Sequence, residues 1–262
     1  MDRDLSLKSQ EVKLILLICG DSGTGKKTIV KGMINGKQNT KKEHASFKSY
    51  FFNHEETIGK STISIPIELR ILNSEEMETE LKLNKAFYSE ALGAFVVNSI
   101  TDNNSFVNGE KWKDKIDLMC CLPNRFPLPI FLLINKCDPN HLQEEKEEKD
   151  KENNNNSQYM QKDKIESYSL ENQFFSTFFI GKISENNNII NTEKIEDNKI
   201  NNDEKNNKNL IDSPYNAFKE MIKTIMGFKD IRNKFIIQSG GVIDDNDFER
   251  GNENRNKKCI IS

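Results

Sequence analysis

The apolar positions fall into short, dense runs separated by polar stretches. Val12 to Cys19 is an apolar run rich in branched residues that ends at Gly20, and it predicts a strand buried on both faces. Thr28 to Met33 carries a helical pattern, so the first unit reads as strand, glycine-rich loop, helix. Ser61 to Leu72 predicts an extended segment with Pro66 restricting its pairing, and Leu81 to Ala91 a helix. Gly93 to Asn98 predicts a second buried strand and Pro129 to Ile134 a third. Between them, Phe106, Trp112, Ile116 and Met119 recur near helical spacing within Ser105 to Leu122. Phe174 to Phe179 predicts an edge-side strand, and Ser213-Pro214 opens a last helix with Ser213 as its N-cap. Strands alternating with helices predict an α/β fold with a mostly parallel sheet covered on both faces.

Two tracts break the pattern. Residues 143–163 and 186–209 are dominated by Asn, Lys, Glu and Asp, too polar to offset the entropy of ordering, and they read as low-complexity, disordered insertions. The expected organisation is a domain over 1–228 carrying these insertions and a flexible tail over 229–262. The 262 residues are 35% hydrophobic and 30% charged, which agrees with part of the chain not packing. A net charge of -3 argues against a nucleic-acid binder. Five cysteines without framework spacing point to a reducing compartment. No run at the N-terminus has signal-peptide character, and no stretch approaches the roughly 20 apolar residues that span a bilayer. The three histidines lie among polar residues without metal-ligand spacing.

Gly20-Asp21-Ser22-Gly23-Thr24-Gly25-Lys26 fits the G-x-x-x-x-G-K phosphate-loop pattern in the setting that pattern needs, after a strand and before a helix. Its glycines let backbone N–H groups surround phosphate oxygens, Lys26 adds a charge, and the helix contributes its positive end. The motif then asks for a Ser or Thr hydroxyl on Mg²⁺. This chain has Lys27, with Thr28 one position further and about 100° around the helix. Asn135-Lys136-Cys137-Asp138 follows the third buried strand at its carboxyl end, where open α/β sheets bind ligands. A carboxylate at Asp138 accepts from the N1–H and 2-amino edge of guanine, Asn135 reaches the N7 side, and the Lys136 stem lies against the base.

In this order the motifs resemble a Ras-superfamily small GTPase and, within it, the Rab family. Phe87 to Val97, Lys111-Trp112-Lys113, Leu122-Pro123-Asn124 and Pro129 to Asp138 are similar to a Rab subgroup associated with lysosome-related organelles. The resemblance covers Lys13 to Asp138 and resumes more weakly from Phe174 to Met226. It implies a doubly wound six-stranded P-loop NTPase sheet, bound GTP or GDP with Mg²⁺, effector and exchange-factor partners, and a role in vesicle-mediated traffic. Thr57-Ile58-Gly59 resembles the first switch, with Thr57 as its metal-holding and γ-phosphate-sensing residue, although the segment from there to Leu72 is short for two strands. Gly181 and Lys182 are the candidates for the loop supporting guanine. Where the family shows Asp-Thr-Ala-Gly-Gln, this chain has Asn73-Ser74-Glu75-Glu76-Met77. A carboxylate near the metal becomes an amide, the γ-phosphate-sensing glycine becomes Glu76, and the water-orienting glutamine becomes Met77, so hydrolysis is expected to be slow or absent.

Cys259-Ile260-Ile261-Ser262 matches C-a-a-X, and the terminal Ser favours a farnesyl group. With Arg255, Lys257 and Lys258 it implies a prenyltransferase partner and a peripheral anchor on the cytoplasmic face of endomembranes, with a cytosolic pool. Two other readings stay open from sequence. A pseudo-GTPase scaffold is favoured by Lys27, Asn73, Glu76 and Met77. A P-loop enzyme such as a small-molecule kinase is opposed by Asn135 to Asp138 and by Cys259.

Overall fold

A computed structural model describes residues 12–44, 47–59, 61–72, 88, 90–123, 125–137, 160–181 and 211–240. The first apolar run forms β1 (Leu14–Cys19), buried at all six positions, and α1 (Lys26–Ile34) follows it. Two long strands, β3 (Phe47–Ile58) and β4 (Ser61–Leu72), form an antiparallel hairpin turned at Gly59, whose φ is +59°. Ahead of them the short β2 (Thr40–Glu43) pairs antiparallel with β3. The remaining strands are β5 (Ala91–Ser99), β6 (Ile130–Cys137) and β7 (Ser176–Gly181). The other helices are α2 (Asn103–Met119), α3 (Lys162–Glu171), α4 (Pro214–Met226) and α5 (Lys229–Gln238).

The sheet runs β2-β3-β4-β1-β5-β6-β7, with β4 through β7 mutually parallel. It has seven strands where six were expected. The addition is β2, exposed at all four positions and therefore without an apolar signature. Pro66 sits where β4 begins its ladder with β1 at Leu14 and Ile67, so the part of β4 before it pairs with β3 alone. The helix expected over Leu81 to Ala91 lies largely outside the described residues.

Helices α1 and α4 pack together on one face of the sheet. A Cβ on Gly32 would stand 2.8 Å from Pro214, and one on Gly93 would stand 2.7 Å from Met221 Sδ, so both glycines permit close approach to α4. Ser213 caps α4 by accepting from the Asn216 N–H at 3.1 Å, and Phe218, Met221, Ile222 and Ile225 form its buried stripe. On α2, Trp112 and Ile116 are fully buried.

Two expected boundaries move. The tail drawn from residue 229 begins instead with α5, which buries Ile231, Arg232, Phe235 and Ile236, so the packed unit extends to the end of that helix. The first insertion drawn to residue 163 ends earlier, because α3 starts at Lys162 and buries Ile165. The second insertion lies outside the described residues. Among the described residues no helix is long and apolar enough to cross a membrane.

A buried polar cluster braces the β3–β4 hairpin. Glu68 accepts from Lys13 Nζ at 3.0 Å, Ser49 Oγ at 2.9 Å and Arg70 Nε at 2.7 Å. Burial alone would push its carboxyl upward. The hydrogen bonds from Arg70 and Lys13 and the guanidinium charge outweigh that and hold it down at about 2.

Candidate functional site

The loop between β1 and α1 emerges at the carboxyl end of the parallel strands, and its shape depends on three glycines. Gly20, Gly23 and Gly25 have φ of +133°, +81° and +93°, a region costly for residues with a Cβ. Space adds a second requirement at two of them. A Cβ on Gly20 would stand 2.3 Å from the Val97 carbonyl oxygen, and one on Gly25 would stand 2.1 Å from Asn135 Nδ2. Thr24 is buried and donates its hydroxyl to the Asp21 carbonyl at 2.9 Å. Ser22 is exposed at the loop's tip. Gly25 is the N-cap of α1 and, having no side chain to accept, leaves the first helical N–H groups uncapped by any side chain.

Lys26 curls back over the loop, donating from Nζ to the carbonyls of Gly20 at 2.6 Å and Asp21 at 2.8 Å. Burial pulls its pKa down, the Cys19 and Asp21 charges oppose this, and neighbouring Lys27 adds to the depression. Lys27 and Thr28 are exposed on the first turn of α1, and the Thr28 N–H bonds to the Gly25 carbonyl at 3.0 Å. The Asp21 carboxylate accepts from Asn108 Nδ2 of α2 at 2.7 Å. Sequence reading missed this tie, since nothing local marks an asparagine 87 residues downstream.

The second motif arrives on the neighbouring strands. Asn135, 6% exposed near the end of β6, donates from Nδ2 to the Thr24 carbonyl at 2.8 Å, joining it directly to the phosphate-loop motif. Its backbone carbonyl also accepts from the Ile100 N–H at 3.1 Å, which fixes the strand end that carries it. Lys136 is exposed with φ of +65°, and β6 is irregular between Ile134 and Cys137, so the strand is already turning out of the sheet here. Gly181 ends β7 beside Cys137 in register. The structure thus brings together Gly20 to Thr28, Asn135, Lys136 and Gly181 at one end of the sheet. Asp138, Lys182, Asn73, Glu76, Met77 and Cys259 lie outside the described residues.

Thr57 does not join them, which corrects its assignment as a switch and metal residue. It pairs with Thr62 at the closed end of the β3–β4 hairpin, whereas the phosphate loop follows β1 beyond the pairing of Ile18 with Ile71. Thr62 and Ile71 are nine residues apart along β4, roughly 30 Å at about 3.3 Å per residue. The short spacing from Thr57 to Leu72 was the signal: it holds one strand and a tight turn. The other end of β3 is the one nearer the phosphate loop, since Phe47 pairs with Leu72 at the end of β4.

Among the described residues, a divalent cation at the phosphate loop would therefore lack its usual protein hydroxyls. Lys27 stands at the position the motif gives to Ser or Thr, Thr28 is turned a residue further around α1, and Thr57 is at the other end of the sheet. The described residues do not fit that metal.

The chain matches the model of the Ras family over residues 13–180. It is 30% identical over 138 residues to human Ras-related protein Rab-32, covering 48% of this chain and 54% of that protein. Ras-related protein Rab-32A of Dictyostelium discoideum is 29% identical over 138 residues, covering 47% and 55%. Human Ras-related protein Rab-7L1 is 26% identical over 136 residues, covering 47% and 59%. The chain spans about half the length of the curated relatives it matches. The strand order, the loop and the placement of Asn135 are those of a P-loop GTPase sheet, and the chain belongs to the Ras family as a divergent, Rab-like member.

Proposed function

We propose that this chain is a lipid-anchored guanine-nucleotide switch of Rab type, acting in vesicle-mediated membrane traffic with slow intrinsic hydrolysis. The observation that carries the reading is the buried hydrogen bond from Asn135 to the Thr24 carbonyl, which couples the base-reading segment to the phosphate-cradling loop. On binding, the N–H groups from Gly23 to Thr28 receive phosphate oxygens, and Lys26 exchanges its two loop carbonyls for them. Asp138, next in sequence after β6, reads the N1–H and 2-amino edge of guanine, the Lys136 stem flanks the base, and Gly181 at the end of β7, with Lys182 following it in sequence, supports it. Met77, without an amide, leaves the attacking water unoriented, which slows hydrolysis. Exchange-factor and effector proteins act on the switch, and a prenyltransferase modifies Cys259 to place it on the cytoplasmic face of endomembranes.

The test is Asp138→Ala. It removes the acceptor for the guanine edge but leaves the phosphate cradle, so GDP affinity falls at least about a hundredfold while ADP affinity stays level. Equal losses for both nucleotides would remove Asp138 as the base reader. In cells, Cys259→Ser moves the protein from the membrane to the soluble fraction; unchanged fractionation would sink the lipid anchor.

A further inference from the structure

The first turn of α1 carries two adjacent lysines and no acidic residue. Cations there oppose the positive end of the helix macrodipole, an arrangement that costs about 0.3–1 kcal/mol each unless an anion is present. Two other helices, α3 and α5, place Asp163 and Asp230 in their first turns, as the dipole favours. The nearby Asp21 carboxylate relieves this only at a distance, since it accepts from Asn108 and pairs directly with neither lysine. None of the ion pairs among the described residues includes Lys26 or Lys27. Lys26 is held by loop carbonyls, whereas Lys27 stands exposed where the motif would put a metal-binding hydroxyl.

We propose that Lys27 takes the place of the divalent cation, its ammonium neutralising the terminal phosphates so that guanine nucleotide binds without magnesium. The inference rests on the guanine-nucleotide reading above. In the loop motif the hydroxyl after the lysine holds a metal that bridges the two outer phosphates. A lysine stem is long enough to bring its own charge to that region, where an ammonium and a divalent cation repel each other. The two lysines and the helix N-terminus then form one anion site. A single ammonium supplies less charge than Mg²⁺ and cannot template in-line attack, in keeping with a slow or absent hydrolytic step.

The experiment measures GDP and GTP affinity of the purified full chain in millimolar magnesium and in EDTA, for the native protein and for Lys27→Thr. The native protein binds with affinities within about threefold in the two buffers. Lys27→Thr loses at least about tenfold in EDTA and regains part of that loss in magnesium, a dependence the native chain lacks. Because Lys27 is exposed, the variant's thermal unfolding without nucleotide matches the native protein's, which separates lost binding from lost fold. A native affinity that drops a hundredfold in EDTA, or a Lys27→Thr affinity equal to the native one in EDTA, overturns the proposal. A folded native chain that binds neither nucleotide in either buffer overturns the guanine-nucleotide reading and this inference with it.

Discussion

At Gly25 two constraints meet: a φ of +93° and Asn135 Nδ2 at 2.1 Å from where a Cβ would be. Gly25→Ala therefore strains the loop by about 1–2 kcal/mol and also displaces Asn135, breaking its bond to Thr24. The expected outcome is loss of nucleotide binding in calorimetry with a fold that still melts cooperatively. Glu68 is the corresponding case for stability. Its folded pKa is held below the ordinary carboxylate value, so its contribution is complete above about pH 4.5 and is lost as pH falls toward about 2. Glu68→Gln keeps an acceptor for Arg70, which also pairs with Glu90, but removes the buried charge and should cost about 1–3 kcal/mol in urea unfolding at pH 7; the variant's stability also varies less with pH across that acid window. The cysteines give a third check. Burial pushes Cys120 and Cys137 up to about 12 and Cys19 higher still, whereas Cys121 is exposed. At pH 8 a maleimide should label Cys121 and leave those three untouched until the protein unfolds, and early labelling of Cys19 would contradict the packing of β1. The phosphate loop could be read in the sequence because its residues are contiguous. The Asn108–Asp21 bond could not, since only the folded chain brings α2 to the loop.

Among the elements, the central strands were legible because burial on both faces leaves a continuous apolar run, as in β1, β5 and β6. The edge was harder. Strand β3 is buried on one face along only part of its length, and β2 is wholly exposed, so nothing in the pattern around Thr57, the expected switch residue, shows that it closes a hairpin. Helix α5 has no clear sequence signature because its buried apolar residues, Ile231, Phe235 and Ile236, are set among charged and polar neighbours at the start of a polar tail. Its role as part of the packed unit is tested by Phe235→Ala. That side chain is 1% exposed, so truncation should cost about 3–5 kcal/mol by urea denaturation. A change below about 0.5 kcal/mol would instead mean that α5 is peripheral to the fold.

For the whole molecule, the resemblance to the family rested on the order of two short motifs, and the sheet supplies the reason the order matters. Strands β1 and β6 are separated by β5 alone, so their carboxyl ends deliver the phosphate loop and Asn135 to one place. Departures from the family are as local as the motifs: Lys27 at the phosphate end, and Asn73, Glu76 and Met77 beyond β4. In the proposed switch they alter the metal and water positions, with Lys27 adding its charge at the phosphates, while base recognition rests on other residues. The central claim is that the two motifs form a single guanine-selective site. It is tested most directly by measuring GDP and ADP affinity side by side on the purified chain. GDP binding at least about a hundredfold tighter than ADP is the predicted result. Equal affinities, or tighter ADP, would show that the Asn135 segment does not read the base and would contradict the account.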